Sequence, residues 1–275
     1  MTPLRRTSNW YNIFMEDFPY QERNIEKDKR EFIKAVDSIL IEEIPAVFDE
    51  DASNRLVASL NKTKLLIMGE MHGVKENADV IYTLFKKFGF RQLALEWESG
   101  LKAVAEQYLE TGELDFNAIQ ESPDGRMTAG HFALLKTLKD DGLLDRLICF
   151  DGSGEADWDA RDENMAKNIL GSLFDSSTLV VAGNLHAKVE PITLNDEPCE
   201  LHPMGERVKA HIQDVSSGKI EYLSGQYHNF GRQDFWEDPE QEKTESRFYI
   251  TDDGSYTFVL PEASVAIVPN PGEKL

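Results

Sequence analysis

Lys64-Leu65-Leu66-Ile67-Met68-Gly69-Glu70-Met71-His72-Gly73 begins as an unbroken apolar run and ends in a glycine-flanked loop bearing a carboxylate and an imidazole. A continuous apolar run of this length suits a strand of a parallel sheet, which is buried on both faces and so lacks the alternation of a half-exposed strand. The following residues change period. Ala78, Ile81, Tyr82, Phe85 and Phe88 recur at helical spacing and predict a helix. Strand, loop and helix in that order are the first part of a βαβ unit.

The same pattern repeats downstream. Gln92-Leu93-Ala94-Leu95-Glu96-Trp97, Arg146-Leu147-Ile148-Cys149-Phe150-Asp151 and Thr178-Leu179-Val180-Val181-Ala182-Gly183 read as three further strands. Met165, Ala166, Ile169, Leu170 and Leu173 form one face of a helix between the last two. Strands alternating with helices imply right-handed crossovers and a mainly parallel central sheet flanked by helices, the α/β class. The stretch 101–145 exceeds what one crossover needs and carries helical pieces near 101–110, 114–120 and 130–140, so it is predicted to be a helical insertion after the second strand, placed as a lid. Upstream, Phe32, Val36, Ile39, Leu40 and Ile44 predict a helix from Glu26 towards Phe48, ended or kinked at Pro45, and a short helix covers Ala52–Leu60. Residues 1–24 read as an irregular aromatic-bearing lead-in. From Lys219 the chain turns β-rich. Tyr249 to Phe258 predicts an antiparallel edge hairpin with Asp253-Gly254 at its turn, and 233–246 a charged loop. The expectation is one α/β domain over 1–275, with a helical N-terminal extension (1–60), the insertion (101–145) and a β-rich C-terminal part (219–268).

In open parallel sheets ligands bind beyond the carboxyl ends of the strands. The first predicted strand delivers Glu70 and His72 to that edge, the second Glu96 and Glu98, the third Asp151 and then Asp157, and the fourth Asn184 and His186. Arg161 lies one turn before Met165 on the buried face of its helix, which starts at the same edge, so its guanidinium is expected to reach the carboxylates. A neutral histidine takes a proton from water near pH 7, and a carboxylate beside it orients the ring. Arg161 or the second histidine would stabilise a developing oxyanion, with Asn184 and Asp151 placed for substrate binding. His72, His186, Glu70 and Glu96 also make a donor set for zinc, manganese or cobalt. Each residue has a structural alternative: the histidines as loop caps, Glu96 as a helix cap, Asp151 as a turn former, Arg161 as an ion-pair partner. His131, His202, His211 and His228 lack comparable context and read as surface or packing residues, and Cys149 as a buried, inert thiol.

Bulk properties narrow the field. The chain has 29 Lys and Arg against 50 Asp and Glu, a formal charge of −21. Such a surface repels nucleic-acid backbones and anionic membranes. Hydrophobic residues at 41% suffice for a sizeable core, which argues against disorder. Cys149 and Cys199 make no Cys-x-x-Cys pair. Arg5 and Arg6 are followed by no apolar segment, and no long apolar run occurs, so the reading is a cytoplasmic protein, or one exported without a cleaved signal, with no membrane insertion. Gly-x-Ser-x-Gly, the phosphate-binding Gly-x-x-x-x-Gly-Lys-Ser/Thr loop, Gly-x-Gly-x-x-Gly and His-Glu-x-x-His are all absent.

Leu66-Ile67-Met68-Gly69-Glu70-Met71-His72-Gly73, Leu95-Glu96, Arg161-Asp162-x-x-Met165-Ala166 and Val181-Ala182-Gly183-Asn184-Leu185-His186-Ala187, in this order, resemble the erythromycin esterase/ChaN-like superfamily, which takes in TraB/TIKI-like relatives. Pro203-Met204-Gly205-Glu206-Arg207-Val208 resembles the segment that often follows the Gly-Asn-x-His loop. The resemblance implies an α/β fold with a helical insertion and a hydrolase acting on a small molecule or peptide. In the esterase branch the loop histidine activates water with Glu, Arg and a second histidine nearby, which here are His72, Glu70, Glu96, Arg161 and His186. The TIKI-like branch implies a metal-dependent peptidase on two Gly-x-x-His motifs, and the ChaN branch implies haem binding. Bacterial virulence proteins among the relatives imply, as an alternative, an effector that meets a host protein partner without turnover.

Overall fold

The computed structural model describes residues 24–152, 157–172, 176–193, 200–235 and 245–270. The lead-in to residue 23, Leu173, Cys199 and most of the charged stretch 233–246 fall outside these residues.

The chain runs through α1 (Ile25–Ser38), β1 (Val47–Phe48), α2 (Glu50–Thr63), β2 (Leu65–Glu70), α3 (Asn77–Phe88), β3 (Gln92–Glu98), α4 (Lys102–Thr111), α5 (Ala129–Asp140), β4 (Arg146–Asp151), α6 (Trp158–Leu170) and β5 (Thr178–Gly183). It continues through β6 (Ile192–Thr193), β7 (Glu200–Leu201), α7 (Met204–His211), β8 (Ser216–Tyr222), β9 (Gln226–His228), β10 (Arg232–Asp234), β11 (Arg247–Ile250) and β12 (Tyr256–Leu260). The central sheet has eight strands in the order β1-β11-β12-β8-β2-β5-β3-β4. From β12 through β4 every neighbouring pair is parallel, while β11 runs antiparallel to β12. This is the mainly parallel α/β sheet with an antiparallel C-terminal hairpin that the apolar runs predict.

The four apolar strands are buried on both faces, and their side chains alternate between two cores. Leu66, Met68, Leu93, Leu95, Leu179 and Val181 pack with α1–α3 and α5. Leu65, Ile67, Ala94, Phe150, Val180 and Ala182 pack with α6 and α7 through Met165, Ile169, Met204 and Val208. Burial of this kind contributes about 25 cal/mol per Å² of apolar surface and dominates the stability of the sheet.

Several boundaries differ from expectation. α1 ends at Ser38, not at Pro45. Ile39 is already extended, and the backbone N–H groups of Glu42 and Ile44 donate to Asp79 and Thr83 of α3, so tertiary partners replace the helical ones. Phe48 then pairs with Phe248 in the sheet. The piece near 114–120 is one 3-10 turn, Phe116–Ala118, while α4 and α5 match the other two expected pieces. The expected charged loop from residue 233 opens inside β10, which pairs with β9. The hairpin turn spans Thr251–Ser255, with Gly254 at φ 85°, a longer loop than a two-residue Asp-Gly turn. The C-terminal part also enters the middle of the sheet: β8 pairs with β2 and β12, although Ser216-Ser217-Gly218-Lys219 carries no apolar run.

Candidate functional site

β5 lies between β2 and β3 although it follows β4 in the chain. Gly69 is paired with Ala182 and Glu70 with Gly183, so both Gly-x-x-His loops leave the sheet side by side. β3 flanks β5 and supplies Glu96, and β4 at the edge supplies Asp151. α6 begins at the same rim and carries Arg161 and Asp162. The sheet order thus brings Glu70, His72, Glu96, Asp151, Arg161 and His186 to one place.

Glu96 is the hub. It is almost fully buried, and its Oε2 accepts the Gly183 N–H at 2.7 Å. Around the same carboxylate lie Arg161 Nη2 at 2.7 Å, Arg126 Nη1 at 3.5 Å, His72 Nε2 at 3.6 Å and His186 Nε2 at 3.7 Å. Burial works against its charge, but His186, His72, Arg126 and Arg161 outweigh it and hold the carboxyl well below the usual range. Glu96 is therefore a carboxylate at any physiological pH.

His72 Nδ1 lies 3.1 Å from Glu70 Oε1. A carboxylate only accepts, so Nδ1 carries a proton, and in the neutral ring the lone pair is on Nε2. Burial opposes a charge on the ring, yet the Glu70 bond and the fields of Glu96, Glu70 and Asp124 prevail and raise its pKa. The side chain keeps 19% of its surface exposed, so Nε2 is open to a small reactant. Gly183 makes that room: a Cβ there would stand 2.9 Å from His72 Nε2.

His186 is held differently. Nδ1 lies 2.5 Å from Asp162 Oδ1, whose other oxygen accepts the Met204 N–H at 3.1 Å. The proton is again on Nδ1. Nε2 accepts from Arg161 Nη1 at 3.2 Å, and Trp158 stacks on the ring at 4.4 Å. His186 thus presents a lone pair to Arg161, not a donor to an oxyanion. Arg161 completes its fork on Asp151 at 3.0 and 2.8 Å, so Asp151 serves the guanidinium. Asn184 donates its backbone N–H to the Glu70 carbonyl at 3.1 Å, and its buried Oδ1 has no hydrogen-bond partner among the described residues. Glu98 is exposed, and Asp157 caps α6 through the Asp159 N–H, so neither joins the cluster.

The insertion adds residues that no local pattern marked. Arg126 reaches Asp151 at 2.6 Å and Asp124 at 2.6 Å, and its carbonyl accepts the Trp97 indole N–H at 3.0 Å. The insertion loop is clamped to the His72 loop, with Gly73 N–H donating to the Gly125 carbonyl at 2.9 Å and the His228 N–H to the Gly73 carbonyl at 3.1 Å. Gly73 sits at φ 71°, and a Cβ there would come within 2.0 Å of the His228 carbonyl oxygen. His131, expected to be a surface or packing residue, is buried beside Glu70. The signal that could have marked this loop is the Asp124-Gly125 pair between the helical pieces of the insertion. Cys149 is buried as expected, its thiol pushed up to about 12 by desolvation.

The donor set does not suit a metal. Among the described residues no group of three or more His, Cys, Asp or Glu side chains is arranged around a common point. The cause is local: His186 Nε2 faces the Arg161 guanidinium, and the Glu96 carboxylate lies between Arg161 and Arg126. The expected ligand set of His72, His186, Glu70 and Glu96 is an ion-pair network instead.

Among the described residues no helix is long and apolar enough to cross a membrane. No family model matches the chain, and no curated protein matches it. Solved structures do. A histidine-to-asparagine variant of the erythromycin esterase EreC in its open conformation superposes with a TM-score of 0.61 at 11% identity, over 79% of this chain and 95% of that one. A succinoglycan biosynthesis protein gives 0.57 at 12% identity over 86% and 98%, and a Bacillus cereus protein 0.54 at 10% over 90% and 100%. The chain has the erythromycin esterase/ChaN-like fold.

Proposed function

We propose that the protein is a hydrolase in which His72 activates water against an ester, amide or related bond of a small molecule or peptide. The observation that carries this reading is His72 itself: a partly exposed imidazole with Nδ1–H fixed on buried Glu70 and a free Nε2 within 3.6 Å of the Glu96 hub. Nε2 takes a proton from water as the oxygen attacks the carbonyl carbon. The resulting oxyanion is met by the guanidinium edge of Arg161 or Arg126, whose side chains keep 21% and 26% of their surface exposed. Imidazolium then returns the proton to the leaving group, which departs as alcohol or amine. His186 and Asp162 keep Arg161 in place, and Asp151 sets the separation of the two guanidinia. Asn184 stands next to the site, with its Oδ1 buried against Gly69.

The test is a panel of ester and amide substrates, with and without divalent metals, on wild type and His72→Ala. Hydrolysis lost in His72→Ala with an unchanged melting temperature is the expected result. Activity retained in that variant removes His72 as the base. Because the His72 pKa is raised, the base form dominates only above the ordinary histidine range, so the acid limb of kcat/KM is expected above about pH 6.5.

A second reading draws on how fully Arg161 is engaged, with four of its five N–H groups bonded to Asp151, Glu96 and His186. On that reading the cluster is an ionic clamp in a binding or effector protein. Wild type would then hydrolyse nothing in the panel.

A further inference from the structure

Glu70 Oε2 and His131 Nε2 are both buried, and neither has a hydrogen-bond partner among the described residues. They face each other at 3.9 Å. Unpaired buried polar atoms are uncommon, and two that confront one another ask for a joint explanation. Thr128 Oγ1 accepts the His131 backbone N–H at 3.2 Å and lies 3.1 Å from His131 Nδ1. Its hydroxyl proton can serve Nδ1. The opposite tautomer would turn the Nε2 lone pair towards a carboxylate oxygen where no solvent screens the repulsion. The Nε2–H tautomer is therefore the one the surroundings select. Trp97, which meets the ring edge-on at 6.0 Å, fixes its plane.

We infer that His131 is a positioning residue for His72, its Nε2–H steering the Glu70 carboxylate so that the other oxygen holds His72 Nδ1–H. The chain of groups runs from Thr128 through His131 and Glu70 to His72, from the insertion to the proposed base. Burial alone would push the Glu70 carboxyl up, but the imidazoles of His131 and His72 on either side outweigh it and lower the pKa. A donor on Oε2 also limits how strongly Oε1 can pull on His72, which keeps the base able to release its proton. The groups facing His72 itself are Glu70 from its own loop, Glu96 from β3 and Asp124 from the insertion. The role rests on the hydrolase reading, while the arrangement of protons can be measured without it.

The experiment is nitrogen-detected NMR titration of the histidines in the full chain, for wild type, His131→Gln and His131→Asn, alongside pH–rate profiles. Glutamine places its amide nitrogen where Nε2 stood and keeps the donor to Glu70. Asparagine places it where Nδ1 stood, keeping Thr128 company and losing that donor. His131→Asn is expected to move the His72 titration upward by about half a unit or more, with the acid limb of the rate following, and His131→Gln to restore it. Wild type is expected to show a proton on His131 Nε2. A bare Nε2, a His72 titration that neither variant moves, or one that both move equally would overturn the inference. Should His72 shift as expected while wild type hydrolyses no substrate, the inference stands and the hydrolase reading fails. A His131→Asn chain that does not fold leaves the wild-type tautomer as the deciding result.

Discussion

Replacing Arg161 by methionine keeps the aliphatic stem and deletes the guanidinium. Asp151 then loses bonds of 3.0 and 2.8 Å, Glu96 one of 2.7 Å, and His186 one of 3.2 Å. Both carboxylates stay buried. Breaking one partner of a buried ion pair costs about 3–5 kcal/mol because the remaining charge is left uncompensated. Here the lower end applies, since Arg126 still reaches Asp151 at 2.6 Å and Glu96 at 3.5 Å, and water can enter where Arg161 is 21% exposed. The expected loss is about 3 kcal/mol, or roughly 6–12 °C in Tm for a chain of this size. Urea unfolding at pH 7 and pH 4 measures it. The folded Glu96 carboxyl is depressed, in part by Arg161, so the stability it contributes is complete above the unfolded value of about 4.3 and is lost as pH falls through the folded one. Without Arg161 the depression shrinks. Wild type and variant share the unfolded carboxyl, so the gap between them is full at pH 7 and narrows only as pH falls through the variant's folded value, which lies above that of wild type. Asp151→Asn in the Arg161→Met background should recover part of the loss, with a coupling of about 1 kcal/mol or more. A variant within about 1 kcal/mol of wild type at pH 7, or a gap that widens as pH falls, would refute the picture of Arg161 as the counter-charge of Glu96 and Asp151.

Other perturbations test neighbouring parts of the argument. Gly73→Ala puts a Cβ at φ 71° against the His228 carbonyl oxygen and is expected to cost about 2 kcal/mol or more by denaturant unfolding; a neutral effect would mean that the three loops are not clamped there. Asp162→Asn removes the carboxylate that holds His186 Nδ1–H, so nitrogen NMR should show mixed His186 tautomers and kcat should fall by about tenfold or more, whereas an unaltered tautomer would clear Asp162 of that role. Phe230 is 62% exposed at φ 51°, so Phe230→Asn is expected to raise stability by about 1 kcal/mol, and a loss instead would show that the ring packs on something.

The strands that bear the chemistry were legible because each is a continuous apolar run that ends in a polar loop. β2, β3, β4 and β5 need no partner to be recognised, since burial on both faces writes itself into consecutive residues. Arg161 was legible for a similar reason: its spacing from Met165 places it on the buried face of α6, where an unpaired guanidinium would be costly. β8 was not legible. Its central place depends on close contact with β2 and β12, and Ser216-Ser217-Gly218 satisfies that contact without any hydrophobic pattern. The end of α1 was misplaced because backbone bonds to Asp79 and Thr83 overrode a helical period that continued in the residues.

By itself, the order of residues determined the fold class, the strands of the rim and which polar side chains each strand tip presents, because periodicity and turn chemistry are local. It also determined that His72 and His186 stand in equivalent loops. Only the tertiary structure decided that β5 enters between β2 and β3, which sets those loops side by side, and that Asp124, Arg126 and His131 arrive from the insertion. It likewise decided that the two histidines are unequal. His72 keeps an open Nε2, whereas His186 turns its own towards Arg161, a difference of partners, and partners are chosen by long-range burial that no local period records.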